Sequence, residues 1–201
     1  MVNRFKCLQF LADIIGDALV VIWGSAETEL YHIRPNPPYL TSSFGFATST
    51  GFGLALALPH RQVIVIDTDG GLLLNLGSLA TLGNFRLPNL KVLVMDNECY
   101  ESIGGMPTAT AGRADFAAIA KGAGIKNVAT ARTLEEFKKA AKKAITDNAL
   151  HFIVVKAEKR TEKKLMPRFT DGTKIKYDFV RYIEEIEGIN IILAPLQAMP
   201  K

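Results

Sequence analysis

Two apolar runs joined by a polar turn and a helix-like segment constrain the fold of this chain most. Residues 63–66 are all β-branched, and residues 90–95 are mostly aliphatic. Such runs are typical of strands that are buried on both faces of a parallel sheet. Residues 72–85 between them are apolar at mixed spacing and predict one buried crossover helix. This strand–helix–strand unit predicts an α/β fold.

Polar turns follow both predicted strands. Residues 67–71 and 96–98 carry carboxylate and amide side chains. Because the carboxyl ends of parallel strands meet at one edge of a sheet, we expect Asp69 and Asn97 to lie close together. Their oxygens, with the backbone carbonyl of Cys99, form a ligand set that suits Mg²⁺ beside a phosphate group. Alternatively, these residues are ordinary turn formers that follow strands.

The remaining segments continue this alternation along the chain. Helices are predicted at residues 4–15, 115–123 and 175–187, and strands at 18–23, 125–129 and 151–157. Thr133, followed three residues later by Glu136, is a capping box that predicts a helix to about residue 146. The pattern predicts a doubly wound parallel sheet with helices on both faces. We expect one domain over residues 1–188, which includes a charged linker at 158–173, and a tail at 189–201.

Composition argues against several classes of function. The formal net charge is +4, but the lysine runs lack the interleaved aromatic residues of nucleic-acid-binding surfaces. No apolar run is long enough to span a bilayer, and the first residues lack a signal-peptide pattern. Cys7 and Cys99 form no CxxC pair, which argues against zinc and iron–sulfur sites and favours a reducing compartment. We therefore expect a cytoplasmic protein without nucleic-acid or membrane partners.

The two turns together resemble a known cofactor motif. Asp69-Gly70-Gly71, closed by Asn97 after a helical crossover, resembles the thiamine diphosphate motif. The flanking residues 73–81 and 104–108 resemble the β subunits of sulfopyruvate decarboxylases and the related phosphonopyruvate decarboxylases. Segments 29–31 and 43–47 do so as well, and the resemblance covers about residues 5–185. It implies the fold of the diphosphate-binding (PP) domain of these enzymes.

The resemblance also implies two cofactors, thiamine diphosphate and Mg²⁺, and the residues that hold them. The implied metal ligands are Asp69, Asn97 and the carbonyl of Cys99. The implied cofactor-binding residues are Ser25, Ser43, Phe44, Gly45, Thr68, Asp69, Gly70, Gly71, Asn97, Tyr100, Glu101 and Ser102.

The sequence departs from the family pattern at several of these positions. Phe44 takes the place of the Met, Leu or Ile that supports the bent cofactor. Thr68 takes the place of a glycine, and Gly71 the place of a serine. Glu27 lies in the turn that is implied to meet the diphosphate, where a carboxylate is unfavourable unless it turns away.

The chain lacks a second domain that would carry the activating glutamate of these enzymes. The resemblance therefore implies half of an active site, completed by an α subunit in a hetero-oligomer, with pairing of PP domains inside it left open. It implies a 2-oxoacid decarboxylase that converts a small anionic substrate, such as sulfopyruvate or phosphonopyruvate, to an aldehyde and CO₂. The Gly-rich residues 98–113 are expected to form a loop that closes over that substrate.

Other functions remain open at this point. The chain can be half of a different thiamine diphosphate enzyme, or a non-catalytic phosphate-binding regulatory module. A dinucleotide-binding Rossmann domain is disfavoured because no G-x-G-x-x-G follows a predicted strand.

Overall fold

A six-stranded parallel sheet forms the centre of the computed structural model, which describes residues 1–159, 165 and 171–192. In chain order the strands are β1 (Leu19–Ile22), β2 (Leu40–Thr41), β3 (Val63–Thr68), β4 (Leu90–Asp96), β5 (Cys99–Tyr100), β6 (Met106–Pro107), β7 (Asn127–Ala131) and β8 (His151–Lys156). The sheet order is β2-β1-β3-β4-β8-β7, and all of its neighbouring pairs are parallel. Strands β5 and β6 form a separate antiparallel pair.

Helices cover both faces of the sheet. They are α1 (Arg4–Ile14), α2 (Ser25–Ile33), α3 (Ala47–Ala57), α4 (Asp69–Leu74), α5 (Ser78–Phe85), α6 (Phe116–Gly122), α7 (Leu134–Thr146) and α8 (Gly172–Glu187). Helices α1, α2 and α7 pack on one face and contribute to one hydrophobic cluster, while α3 to α6 and α8 contribute to the other. Alternate strand residues belong to opposite clusters, as the pleat requires: Ile64 and Ile66 face one, Val63 and Val65 the other. The predicted doubly wound α/β fold is confirmed.

Local capping explains where several helices begin. The Asn3 side chain accepts a hydrogen bond from the Lys6 N–H at the start of α1. Thr133 and Glu136 form the predicted capping box at the start of α7. Helix α2 differs, because its N-cap is Gly24 at φ 85°, with no side-chain hydrogen bond. Side-chain caps such as those of Asn3 and Thr133 satisfy backbone N–H groups that would otherwise lack a partner.

The prediction of one crossover helix over residues 72–85 was wrong. The crossover holds two helices, because Asn75 leaves the helical region at φ −134° and ψ 47°. Helix α4 also begins earlier than predicted, at Asp69, because the Thr68 hydroxyl accepts the Gly71 N–H. The acidic residue of the motif is therefore the first residue of a short helix rather than part of a loop.

Two sequence predictions fall largely on residues that the structure does not describe. The charged linker at 158–173 is described only at 158–159, 165 and 171–173, and the tail at 189–201 only up to residue 192. The assignment of residues 1–188 to one domain stays a prediction. Within the described part of the chain, no helix is both long and apolar enough to cross a membrane.

Candidate functional site

The candidate site is a cavity of about 90 Å³ at the carboxyl edge of the sheet. Neighbouring strands β3 and β4 end there, as predicted, and the turns after β1 and β4 close its sides. Ten of the predicted residues line it: Ser25, Phe44, Thr68, Asp69, Gly70, Asn97, Cys99, Tyr100, Glu101 and Ser102. The predicted residues Ser43, Gly45 and Gly71 are not among its lining residues. Sequence reasoning missed Arg4, Trp23, Gly24 and Met95, which also line it.

Asp69 lies at the bottom of this arrangement and is only 1% exposed. Its Oδ2 accepts a hydrogen bond of 2.7 Å from the Thr108 hydroxyl. Burial raises the pKa of Asp69 to about 6, an effect that the Thr108 hydrogen bond opposes. A carboxylate that is buried with few donors gains from a cation, which would restore the stabilisation that water provides.

A chain of hydroxyl groups joins Asp69 to the acid at the end of β4. The Thr108 and Thr110 hydroxyls are 2.9 Å apart, and Thr110 donates to Asp96 Oδ1 at 2.7 Å. The other oxygen of Asp96 lies 2.7 Å from the Lys156 ammonium. The two threonines thereby attach the segment after β6 to the ends of both strands.

Asn97 and Cys99 form a tight turn next to Asp69. The Asn97 amide oxygen accepts the Cys99 N–H at 3.1 Å, which fixes the orientation of the amide. Glu98 between them adopts φ 60°, which is uncommon for a residue other than glycine. Within the described ranges, no group of three or more His, Cys, Asp and Glu side chains is arranged to hold a metal ion. A cation at Asp69 and Asn97 would therefore need further oxygen ligands, such as a backbone carbonyl, water or phosphate.

The glycines of the motif are required by close contacts. A Cβ atom on Gly70 would lie 2.6 Å from the Tyr100 ring. A Cβ on Gly71 would lie 2.6 Å from Asp67 Oδ1, so a serine at this position would need a different Asp67 side-chain position. Gly45 adopts φ 88° and lies against Leu74. Gly45 and Gly71 therefore shape the site from outside the cavity.

Thr68 is compatible with its position because its backbone is extended, with φ −112°. Its hydroxyl caps α4 by accepting the Gly71 N–H at 3.0 Å, which explains how a threonine replaces the family's glycine. Behind it, the buried Asp67 accepts hydrogen bonds from the Thr48 hydroxyl at 2.7 Å and from the Thr68 N–H at 2.8 Å. Burial raises the pKa of Asp67. These contacts hold the turn between β3 and α4 in place.

Three aromatic rings form one wall of the cavity. The Phe44 ring is 36% exposed and lies 6.0 Å from the Trp23 ring and 6.5 Å from the Tyr100 ring, centroid to centroid. The contact with Tyr100 is edge-to-face at 84°, a favoured geometry for aromatic pairs. Trp23, the only tryptophan of the chain, was read from sequence as the end of a strand.

The charged side chains that line the cavity are Arg4, Asp69 and the predicted residue Glu101. Glu27 turns away: its carboxylate accepts the Thr41 hydroxyl at 2.8 Å, and it does not line the cavity. Glu101 contributes a carboxylate instead. Arg4 on α1 faces it and is held from behind by Glu29, with hydrogen bonds of 2.9 and 2.8 Å. An arginine beside the apolar face of a predicted helix gave the only sequence signal for this group.

Residues 98–113, expected to form a loop, contain local structure. Strands β5 and β6 make a short hairpin, and single 3₁₀ turns cover Glu101–Ile103 and Ala109–Ala111. Gly104 and Gly105 at its tip adopt φ 93° and 74°. The hairpin places Tyr100, Glu101 and Ser102 in the cavity wall.

A larger cavity of about 340 Å³ lies beside the candidate site, at the ends of β4, β8 and β7. Arg113, Arg132 and Lys156 line it, and the Lys156 ammonium pairs with Asp96 and with Glu98 at 2.7 and 2.9 Å. The sequence gave no indication of this cavity.

Comparison with known proteins identifies the family. Residues 23–155 match the family model described as thiamine pyrophosphate enzyme, C-terminal TPP binding domain. The chain belongs to this family. The matched segment begins at Trp23 and ends at β8, so it contains both strand ends of the candidate site.

Curated relatives narrow the comparison within the family. The chain is 34% identical over 165 residues to the sulfopyruvate decarboxylase subunit beta of Methanocaldococcus jannaschii, covering 80% of this chain and 87% of the relative. It is 32% identical over 190 residues to the protein of the same name from Methanococcus maripaludis, covering 91% and 98%. It is 36% identical to the phosphonopyruvate decarboxylase of Streptomyces viridochromogenes over 71% of this chain, but over only 36% of that protein. The resemblance stated from sequence is confirmed.

Solved structures support the fold independently. The thiamine diphosphate-dependent 4-hydroxybenzoylformate decarboxylase of Rhodococcus jostii aligns with a TM-score of 0.65 at 19% identity, covering 80% of this chain and 33% of that chain. A thiamin diphosphate-dependent enzyme from Mycobacterium smegmatis aligns with a TM-score of 0.67 at 19% identity.

The donor set fits a magnesium diphosphate. Asp69 and Asn97 offer hard oxygen atoms, and each amide or carboxylate oxygen has a second lone pair beyond the hydrogen bond described above. Gly70 is buried and lines the cavity, and the Tyr100 ring packs closely against its backbone. The cavity is smaller than the whole cofactor.

Proposed function

We propose that this chain is the thiamine diphosphate- and Mg²⁺-binding subunit of a two-subunit 2-oxoacid decarboxylase. The substrate would be a small anionic 2-oxoacid such as sulfopyruvate or phosphonopyruvate, converted to an aldehyde and CO₂. One observation carries the proposal: Asp69 and Asn97 line one cavity at the ends of neighbouring strands. The names of the relatives, which describe sulfopyruvate and phosphonopyruvate decarboxylases, support the substrate class.

In this proposal the strand ends hold the cation. Asp69, Asn97 and the carbonyl of Cys99 would bind Mg²⁺, and the cation would neutralise the diphosphate. Ser25 and Thr68 would donate hydroxyl hydrogen bonds to the phosphate oxygens. Thr108 keeps the Asp69 carboxylate in one orientation before the cation arrives.

The aromatic wall would orient the cofactor ring. Phe44 lies between Trp23 and Tyr100 and presents its exposed face to the cavity. When bound, thiamine diphosphate supplies the ring that accepts the electrons released as the carboxylate leaves as CO₂. The chain's contribution would be position: the phenyl ring would support the cofactor and exclude water from the reacting side. The hydroxyl of Ser102 and the backbone of Gly104 and Gly105 would face the substrate.

A partner subunit is part of the proposal. Relatives that align over most of their length are named as beta subunits, which implies that they act with another subunit. Apolar side chains that are more than half exposed flank the cavity: Phe46 and Leu74 beside Phe44, and Ile103 and Met106 on the hairpin. Exposed apolar side chains around a cavity favour a protein partner. An α subunit would cover it and supply the glutamate that activates the cofactor.

The remaining proposals concern organisation and compartment. We place residues 1–188 in one domain, with the tail beyond it. Cys7 and Cys99 are both buried and unpaired, which suits a reducing compartment such as the cytoplasm.

Calorimetry tests the proposal. Thiamine diphosphate is titrated into the chain, alone and with its co-expressed α subunit, with and without Mg²⁺. We expect binding that requires Mg²⁺ and is strongest in the complex. The Asp69→Asn variant should lose it, because an amide cannot supply the carboxylate charge, whereas Asp13→Asn, which removes the same charge from an exposed position, should bind normally.

Three results would redirect the proposal. Equal affinity of Asp69→Asn and the wild type would eliminate the metal site. Binding without turnover of any 2-oxoacid by the complex would favour half of a different thiamine diphosphate enzyme. No binding in the complex would favour a phosphate-binding regulatory module.

A further inference from the structure

Glu101 is the anomalous group of the candidate site. Its Oε2 accepts a hydrogen bond from the Ser25 hydroxyl at 3.1 Å and faces Arg4 Nη1 at 3.5 Å. Its Oε1 is buried and has no hydrogen-bond partner. In the part of the chain that the structure describes, only one other buried side-chain atom, Ser78 Oγ, shares that condition. Buried polar atoms without partners are unfavourable and point to an interaction that is incomplete in this state.

Arg4 is arranged to bind an anion at the same place. Its Nε and Nη2 are both taken by the Glu29 carboxylate, and the side chain is 5% exposed. This two-point attachment fixes the guanidinium plane and leaves Nη1 directed at Glu101. A guanidinium held in this way is well suited to carboxylate or phosphate oxygens. The 3.5 Å separation shows that Glu101 is a poor match for the position.

The charges of the cavity disfavour an entering diphosphate while Glu101 is in place. Asp69 and Glu101 both line the cavity, and the charge of Arg4 is offset by Glu29 behind it. A cation at Asp69 compensates one carboxylate only. The second carboxylate stays within the cavity, where it occupies the donors that a phosphate oxygen would use.

We propose that Glu101 is a displaceable stand-in for the cofactor's diphosphate. Its carboxylate holds Ser25 and Arg4 in position until a phosphate group takes both donors and Glu101 moves out. The inference rests on the proposed function and extends it, because it makes Arg4 a phosphate-binding residue and Glu101 a gate.

The surroundings of Glu101 allow this movement. Its side chain is 23% exposed, so one side of it already borders solvent. The 3₁₀ turn that carries it ends at Gly104 and Gly105, where a Cβ atom would meet nothing within 4 Å. On the far side, Thr108 anchors the segment to Asp69. The turn can therefore pivot on the glycines while the hydroxyl chain stays in place.

The exchange of the Glu101 carboxylate for a phosphate group would let the site distinguish phosphorylated from unphosphorylated ligands. A ligand with a diphosphate can replace the Glu101 carboxylate at Ser25 and Arg4, because it brings equivalent oxygens. Thiamine without phosphate cannot, so it would leave the gate closed. The gate thus adds discrimination for the phosphorylated form.

Titration of Mg²⁺ with thiamine diphosphate, and separately with inorganic diphosphate, into the complex with the α subunit tests the gate. Glu101→Gln should bind both ligands roughly five- to tenfold more tightly than the wild type, since one like charge is removed. Glu135→Gln removes a charge from an exposed residue of α7 and should leave affinity unchanged. Ser25→Ala should weaken binding in the Glu101→Gln background. Trp23 fluorescence, which reports on the cavity wall, gives a second readout of each titration.

The outcomes separate the gate from the proposed function. Mg²⁺-dependent binding by the wild type, with equal or weaker binding by Glu101→Gln, would overturn the gate and leave the proposed function standing. Tighter binding by both glutamine variants would also overturn it, because the effect would be one of net charge. If neither the wild type nor Glu101→Gln binds, the proposed function fails and the gate fails with it.

Discussion

The two ends of β4 both carry buried charged side chains, but the hydrogen-bond partners of these side chains differ. At the amino end, Lys91 is 1% exposed and its ammonium donates to the backbone carbonyls of Pro88, Asp147 and Ala149 at 2.8, 2.7 and 2.6 Å. Three donors meet three acceptors, and each acceptor is a main-chain atom fixed by the fold. This end has no capacity left for a ligand.

At the carboxyl end the buried groups are carboxylates, and most of their partners are side chains, although Asp96 Oδ1 also accepts the Glu98 N–H at 3.2 Å. Asp69 accepts the Thr108 hydroxyl and Asp96 accepts the Thr110 hydroxyl, and the nearby Glu101 keeps one oxygen without a partner. Side-chain partners can be exchanged for a ligand, whereas main-chain partners cannot. The comparison indicates that the amino end serves stability and the carboxyl end serves binding.

Lys91→Met removes the buried charge at the amino end of β4 and should have the largest effect on stability of these variants. It removes the donor to three part-buried carbonyls, which should lower the free energy of unfolding by about 3 kcal/mol. Urea denaturation measures this loss, and calorimetry should show unchanged binding of Mg²⁺ and thiamine diphosphate per folded molecule. A loss of affinity in the folded variant would contradict the division between the two ends.

The pH dependence of stability, compared between the wild type and Lys91→Met, sharpens this result. Burial lowers the pKa of Lys91 from 10.5 to about 8, so the folded chain releases this proton before the unfolded chain does. Between those pH values the unfolded state binds more protons, and stability rises with pH by up to about 1.4 kcal/mol per unit. The wild type should therefore gain stability relative to Lys91→Met above pH 8. A constant difference between the two proteins would show that Lys91 is not responsible.

Gly70→Ala should disturb the site at the carboxyl end of β4 and lower the stability of the chain by less than Lys91→Met does. The new Cβ would lie 2.6 Å from the Tyr100 ring, and overpacking of this kind costs about 2 kcal/mol. Displacement of Tyr100 should also weaken cofactor binding. Gly53→Ala in α3 is the matched control: its Cβ meets nothing within 4 Å, so it should stabilise the chain by about 0.5–1 kcal/mol. Similar changes in thermal unfolding for both variants would argue against the close contact.

Thr108→Val should affect binding more than stability. It removes the donor to Asp69, so the carboxylate loses its fixed orientation and Mg²⁺ affinity should fall roughly tenfold, or about 1.4 kcal/mol. Thr108→Ser keeps the hydroxyl and should restore affinity, as measured by Mg²⁺ titration at saturating thiamine diphosphate. Failure of the serine variant to restore it would assign the effect to packing.

Sequence reasoning located the parts of the site that are specified locally. The ends of β3 and β4 follow from two aliphatic runs, and Asp69 and Asn97 follow directly from where those runs stop. Arg4 was missed as a site residue because its position depends on Glu29, which lies 25 residues away on another helix. Trp23 was missed for a similar reason, since its role depends on Phe44.

The break between α4 and α5 shows a different limit of prediction from sequence. Residues 72–85 have no proline, and their apolar spacing suits one continuous helix. The helix instead starts at Asp69, where Thr68 caps it, and ends when Asn75 leaves the helical region. The Thr68 cap is local, but the packing of Gly70 against Tyr100 is set by tertiary structure, which adds to the local pattern.

Helix α4 has only six residues, which is too short to be stable outside the folded chain. Its backbone therefore depends on the finished sheet beneath it and on Tyr100 and Asp67 around it. The amides of α4 should open and exchange with solvent deuterium well before those of the central strand β4. A bound cofactor should slow that exchange, because a ligand that binds the folded site stabilises it against local opening.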